Sequence, residues 1–126
     1  MSVLLDVKEI TKSFKLKGHW YHKRKFTALS PLSFAVEAKK TLAIVGETGS
    51  GKSTAIDILL GLIQPTDGAL FIDGKPLLPS QMRSWQNTIG FVANSIFLAA
   101  ASIAENVAFV LPAAEIEREK VEKAIR

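Results

Sequence analysis

The sequence predicts a mixed α/β fold: an antiparallel β layer from the N-terminal segment beside a small strand–loop–helix core. Three observations predict it. Short runs with alternating apolar residues occur before residue 40 and again near residues 69–77, the period of a half-buried strand. A β-branched run, Thr41–Val45, hands over through three closely spaced glycines to a helical pattern from Lys52. The chain has 126 residues, which fits one domain with a sizeable core.

The elements follow in order. Val3–Ile10 reads as a strand, its alternation cleaner after Leu5. The basic, glycine-containing stretch "KLKGHWYHKRK" reads as a loop or a hairpin tip. Thr27–Val36 alternates from Leu32, putting Leu32, Phe34 and Val36 on one face, and Pro31, lacking an N–H, belongs on a sheet edge. Lys39 and Lys40 turn the chain into Thr41–Val45, a short apolar run expected as a buried strand. From Lys52, the residues Ala55, Ile56, Ile58, Leu59, Leu60 and Leu62 give a helix apolar on most of its circumference. In "QPTDG", Pro65 stops that helix and Gly68 reverses the chain. Ala69–Ile72 is a short strand, and Asp73-Gly74 is a hairpin signal leading to Lys75-Pro76-Leu77. Thr88–Val92 is expected as another brief strand. Ser102 with Glu105 three residues on forms a capping box for a helix through Phe109. After Pro112, "AAEIEREKVEKAIR" is amphipathic, with Ile116, Val121, Ala124 and Ile125 as its stripe and Glu119–Lys123 and Glu122–Arg126 as i,i+4 pairs. The whole reads as a single domain over 1–126, with a β layer plus core at 1–98 and a helical segment at 99–126.

The run between strand and helix carries the chemistry. Gly46-Glu47-Thr48-Gly49-Ser50-Gly51-Lys52-Ser53 satisfies G-x-x-x-x-G-K-[ST] residue for residue, and Thr54 follows. Glycines let the backbone curl its N–H groups inward around an anion. The free N–H groups of the next helix point to the same spot and add the positive end of its dipole. Lys52 supplies a mobile charge for the outer phosphates, and Ser53 a hydroxyl for Mg²⁺. The expected ligand is a nucleoside polyphosphate.

Composition narrows the field. Hydrophobic residues make up 48% and charged residues 22%, ordinary for a globular protein. No apolar stretch reaches the roughly 18–20 residues that cross a bilayer, and Met1–Asp6 lacks a basic region before an apolar one. With no cysteine, disulfides and thiol chemistry are excluded, and the cytoplasm is the expected compartment. His19 and His22 could pair on zinc, but no third ligand is apparent. Of the net +4, much sits in the first 25 residues, interleaved with Phe14, Trp20, Tyr21 and Phe26. That pattern invites a nucleic-acid reading, but a solvated hairpin beside a polyphosphate site accounts for it better, so no nucleic-acid partner is expected.

Taken together, "GETGSGKST", "GLIQPTDGALFIDGKPL" and "WQNTIGFVANSIFLAAASIAENVAF" resemble the N-terminal half of an ABC transporter ATP-binding subunit. The first sixty residues look most like peptide-importer ATPases, and the part from Trp85 onward like exporter subunits. That mixture, with the alanine-rich "LAAAS" and "LPAAE", leaves a chimeric or designed sequence open beside a natural one. The resemblance implies a P-loop NTPase-like core with an antiparallel β layer, a truncated ABC ATPase half. It implies ATP and Mg²⁺ as ligands, Gly46 to Thr54 as the phosphate loop, and Phe14 as the aromatic that stacks on adenine, with Trp20 and Tyr21 as substitutes. Asn94 stands where the family carries a metal-contacting glutamine and is one methylene shorter. The implied partners are a second ATP-binding subunit and membrane-spanning subunits, at the inner face of the membrane. The sequence contains no "LSGGQ"-like signature, no apolar run ending in Asp-Glu, and no switch histidine. The resemblance therefore implies ATP binding with little hydrolysis by this chain alone. It also implies that a parallel strand buried in the family is uncovered here, with self-association unless the C-terminal helices cover it. The alternatives are another P-loop enzyme, a kinase or GTPase, or an engineered non-enzymatic domain that retains the loop. Neither an arginine-bearing lid nor a guanine-reading Asn/Asp pair is found.

Overall fold

The computed structural model describes residues 3–16 and 24–126, which fall into two compact units divided between Gly90 and Phe91. In the first unit, β1 (Val3–Leu16), β2 (Arg24–Glu37), β3 (Asp67–Ile72) and β4 (Lys75–Pro76) make a four-stranded sheet in the order β2-β1-β3-β4. Every pairing is antiparallel. Both N-terminal strands run longer than their alternation suggests. Their register continues through Ser13↔Thr27, Phe14↔Phe26 and Lys15↔Lys25 to Leu16↔Arg24, because the two arms of a hairpin lend each other hydrogen bonds. Pro31 lies within β2, which is an edge strand, so its missing N–H costs no ladder bond. Asp73 and Gly74, at φ 47 and 75, form the positive-φ pair of the β3–β4 turn.

Helix α1 (Lys52–Leu59) packs on this sheet. Ala55 and Ile58 join Val7, Ile10, Leu29 and Leu70 in the buried core, with Leu32, Phe34 and Leu59 against its rim. The helix ends at Leu59, before the Leu62 that its apolar pattern reaches and the Pro65 expected to stop it; one face is covered, while Ile56 on α1 and Leu62 beyond it remain exposed. Its C-terminal carbonyls are satisfied from α2 (Met82–Gln86). Trp85 Nε1 donates to Leu59 O at 2.7 Å, and Gln86 Nε2 to Leu60 O at 3.1 Å. The "QPTDG" turn is tied to β1 by Thr66 N to Thr11 O at 2.8 Å and Ser13 N to Thr66 Oγ1 at 3.0 Å.

Two expected strands do not form. Thr41–Val45 and Thr88–Val92 are irregular, and Val45 and Val92 are 88% and 86% exposed. A strand of this kind exists only through parallel neighbours, and the described residues contain no parallel pair.

In the second unit, Ser102 caps α3 (Ile103–Val107) as the sequence suggests. Its hydroxyl accepts from Glu105 N at 3.3 Å, and its own N–H donates to Glu105 Oε2 at 2.8 Å. Asn106 then pins the preceding loop, accepting from Ala99 N and donating to the carbonyls of Ala99, Ala101 and Ser102. Helix α4 (Arg118–Ile125) is shorter than its amphipathic pattern, because Ile116 and Glu117 are extended. Only Val121 of its stripe is buried, and Lys120 pairs with Glu117 at 2.8 Å rather than the expected i,i+4 partners forming. Exposed pairs of either kind are worth only a few tenths of a kcal/mol, too little to dictate which forms.

Candidate nucleotide site

The loop between β2 and α1 is shaped by one close approach. Gly51, the N-cap of α1, has φ 94 and ψ 6. A Cβ at this position would lie 2.6 Å from Ala28 O and 3.0 Å from Leu29 Cδ1. Glycine alone gives both the left-handed turn and this contact with β2. Ala55 N then donates to Gly51 O at 2.9 Å, which starts the helix. No acidic residue stands in the first turn of α1, so the positive end of its dipole is left uncompensated.

Lys52 folds back over this loop. Its Nζ donates to Gly46 O at 2.5 Å, Glu47 O at 2.6 Å and Ser50 Oγ at 3.3 Å. Ser50 N donates to Glu47 O at 3.2 Å and closes the turn beneath. The ammonium is thereby held over the loop, next to the helix N-terminus, where an anion gains from both.

A cleft of about 370 Å³ opens on the loop. It is lined by Thr48, Gly49, Gly51, Lys52, Ser53 and Thr54, together with Phe26 and Ala28 of β2. Gly46 and Ser50 line a second cleft of about 240 Å³, shared with Gly51 and Lys52. The structure thus gathers most of the sequence-expected loop residues around one opening. Glu47 lends its carbonyl to Lys52 instead.

The other expected residues fall differently. Phe14 stands directly across from Phe26 on the neighbouring strand, with Lys12 Nζ 5.3 Å from its ring centroid, and does not line the cleft. Asn94 belongs to the second unit, in an exposed irregular run. His19, Trp20, Tyr21 and His22 lie outside the described residues. Phe26, one of the aromatics that the sequence interleaves with its basic residues, stands on β2 and lines the cleft.

Compared with known proteins, residues 29–126 match the family profile described as ABC transporter. The chain belongs to the ABC transporter family. Among its relatives is the peptide transport system ATP-binding protein SapF of Salmonella typhimurium. It is 44% identical over 77 residues, covering 61% of this chain and 29% of the relative. An ATP-dependent lipid A-core flippase of Bordetella avium is 33% identical over 96 residues, covering 76% of this chain and 16% of the flippase. Among solved structures, a dimeric post-hydrolysis ATP-binding cassette bound to ADP and Pi superposes with a TM-score of 0.73 at 25% identity. That match covers 97% of this chain and 54% of the cassette. A bacterial Atm1-family exporter with ATP bound gives a TM-score of 0.68 at 26% identity, covering 88% of this chain and 18% of the exporter. The fold is that of the P-loop ATPase cassettes, and the chain spans less than a third of the curated relatives named here.

Proposed function

We propose that this chain binds Mg·ATP through Gly46–Thr54, as the N-terminal half of an ABC-type transport ATPase. The observation that carries this reading is the curl of the loop into α1. Gly51 is pressed on β2, the dipole end is uncompensated, and the Lys52 ammonium is held by Gly46 O and Glu47 O. Nucleotide phosphates would take amide hydrogens of the loop and draw Lys52 toward their outer oxygens. Bound Mg²⁺ would neutralise phosphate charge. The Ser53 hydroxyl, in the same cleft, fits it as a ligand, and no trio of His, Cys, Asp or Glu that could cage a metal occurs among the described residues. That donor set suits a metal held mainly by phosphate and water. Asn94 is a candidate second contact by resemblance alone. The base lies toward the hairpin aromatics, where the resemblance puts Phe14.

Hydrolysis by these residues alone is expected to be slow, since the sequence supplies neither a carboxylate to position water nor a signature for an opposing nucleotide. Those groups, a second ATP-binding subunit and membrane-spanning subunits would complete the transporter at the inner face of the membrane. The division into a 1–98 core and a 99–126 helical segment belongs to the same proposal. Thermal melting tests the ligand. Mg·ATP at a hundred times its dissociation constant should add about 2.7 kcal/mol, and Mg·GTP should do no better. An unchanged melt with millimolar Mg·ATP contradicts the proposal, and a clear guanine preference favours another P-loop enzyme.

A further inference from the structure

Among the described residues, β1 pairs with β2 alone beyond Ser13, because its ladder with β3 ends at Thr11↔Asp67. The two strands run on as a ribbon, paired at Phe14↔Phe26, Lys15↔Lys25 and Leu16↔Arg24. Residues directly opposite share a face, and successive residues alternate between faces. One face therefore carries Phe14, Phe26 and Leu16, with Arg24 at its outer end. The other carries Ser13 and Thr27, whose hydroxyls lie 3.5 Å apart, and then Lys15 opposite Lys25. All three outer pairs are exposed, and Leu16, at the end, is 51% exposed although apolar. The fold alone does not account for this ribbon. Like charges directly opposite destabilise a strand pair, and among the described residues no carboxylate pairs with Lys15, Arg24 or Lys25. The sequence has no Asp or Glu between Glu9 and Glu37 that could do so from nearby. Lys12, further in, is already engaged by Gln64 O at 2.6 Å. Two strands with both faces in water are marginally stable at best.

We propose that the outer end of this ribbon docks on an anionic phospholipid bilayer. Leu16 and Phe14 enter the layer between headgroups and acyl chains, while Lys15, Arg24 and Lys25 reach headgroup phosphates along their aliphatic stems. Headgroup charge then offsets the repulsion between Lys15 and Lys25. Phe26, the innermost of the apolar three, borders the cleft of the phosphate loop and is not needed for this contact. The sorting of the two faces favours a bilayer over a nucleic acid. A single strand is held by rings and cations that line one groove together, whereas here the lysine pair stands on the face away from the rings. The proposal does not depend on nucleotide binding.

The test is co-sedimentation of the whole chain with vesicles of phosphatidylglycerol and phosphatidylcholine in equal parts, against vesicles of phosphatidylcholine alone. The wild-type chain should partition to the mixed vesicles only, and should leave them as salt rises from about 0.1 to about 1 M. Lys15→Gln with Lys25→Gln removes two charges that contribute roughly fivefold each, so partitioning should fall about twenty-five-fold. Lys39→Gln with Lys40→Gln makes the same change in net charge beyond the opposite end of β2, and should alter partitioning by less than about twofold. Leu16→Ser should weaken it about tenfold through lost apolar contact. All these side chains are exposed, so the variants should melt with the wild type. Equal partitioning of the wild-type chain to both vesicles, equal losses for the two lysine pairs, or no loss for Leu16→Ser overturns the proposal. Tighter binding of a mixed-sequence single-stranded oligonucleotide, lost with Lys15 and Lys25, would make the ribbon a nucleic-acid surface and overturns it as well.

Discussion

Replacing Gly51 with alanine tests fold and site together. Two penalties can be worked from the structure. At φ 94 an alanine sits in the left-handed region, which costs about 1–2 kcal/mol. Its methyl would also lie 2.6 Å from Ala28 O, a backbone atom that can move only with β2. Forcing such overlap into a packed place costs about 1–3 kcal/mol more. Gly49→Ala separates the two. Gly49 has φ 86 but nothing within 4 Å of a built Cβ, so it carries the first penalty without the second. Circular-dichroism melts of the three chains, without ligand, read the difference directly. Gly51→Ala should melt well below Gly49→Ala, by roughly 4–8 °C for each kcal/mol between them in a unit of this size. Its ATP affinity should fall as well, because relieving the overlap moves the start of α1. If the two variants melt within a degree of each other, the close approach of loop to β2 is not what shapes this site.

Other perturbations follow from the same packing. Ile58→Ala should remove about 2–5 kcal/mol from the denaturant-derived stability, since Ile58 is fully enclosed, while Ile56→Ala on the open side of α1 should cost under about 1 kcal/mol. Trp85→Phe keeps the ring but leaves Leu59 O without its donor, and urea unfolding should show a loss of about 1–2 kcal/mol. The Glu105 carboxyl is held below its ordinary pKa by the Ser102 hydroxyl and backbone N–H. Its contribution to the α3 cap is therefore complete above the ordinary carboxylate pKa and lost as pH falls through the lowered one. The protection factor of the Ser102 amide should fall in that acid range, and Glu105→Gln should flatten the response.

What was legible in the sequence follows a physical division between local and paired information. The Asp73-Gly74 turn, the Ser102–Glu105 box and the start of α1 at Lys52 are set by residues within a few positions of one another, and they form as read. The strands expected at Thr41–Val45 and Thr88–Val92 depend on neighbours that no local pattern contains. β-Branched residues alone cannot satisfy a backbone ladder. The same reasoning explains the site. Gly46–Thr54 is a contiguous motif that the sequence displays directly, whereas the Phe14–Phe26 pair is a matter of strand register and becomes visible only once β1 and β2 are aligned. The apolar pattern expected to run through Leu62 overstates α1, which ends at Leu59 with Lys52, Ser53, Thr54 and Asp57 among its eight residues, and the pattern does not say which side is covered.

The most direct measurement is calorimetric titration of Mg·ATP into the wild-type chain and into Lys52→Ala. Lys52 is tied to exposed loop carbonyls rather than to the core, so the variant should fold and melt within a few degrees of wild type. The wild-type chain should give a saturable one-to-one isotherm, and Lys52→Ala should bind more than tenfold more weakly. Identical isotherms for the two chains, or no heat from the wild type at millimolar nucleotide, would contradict phosphate capture by this loop.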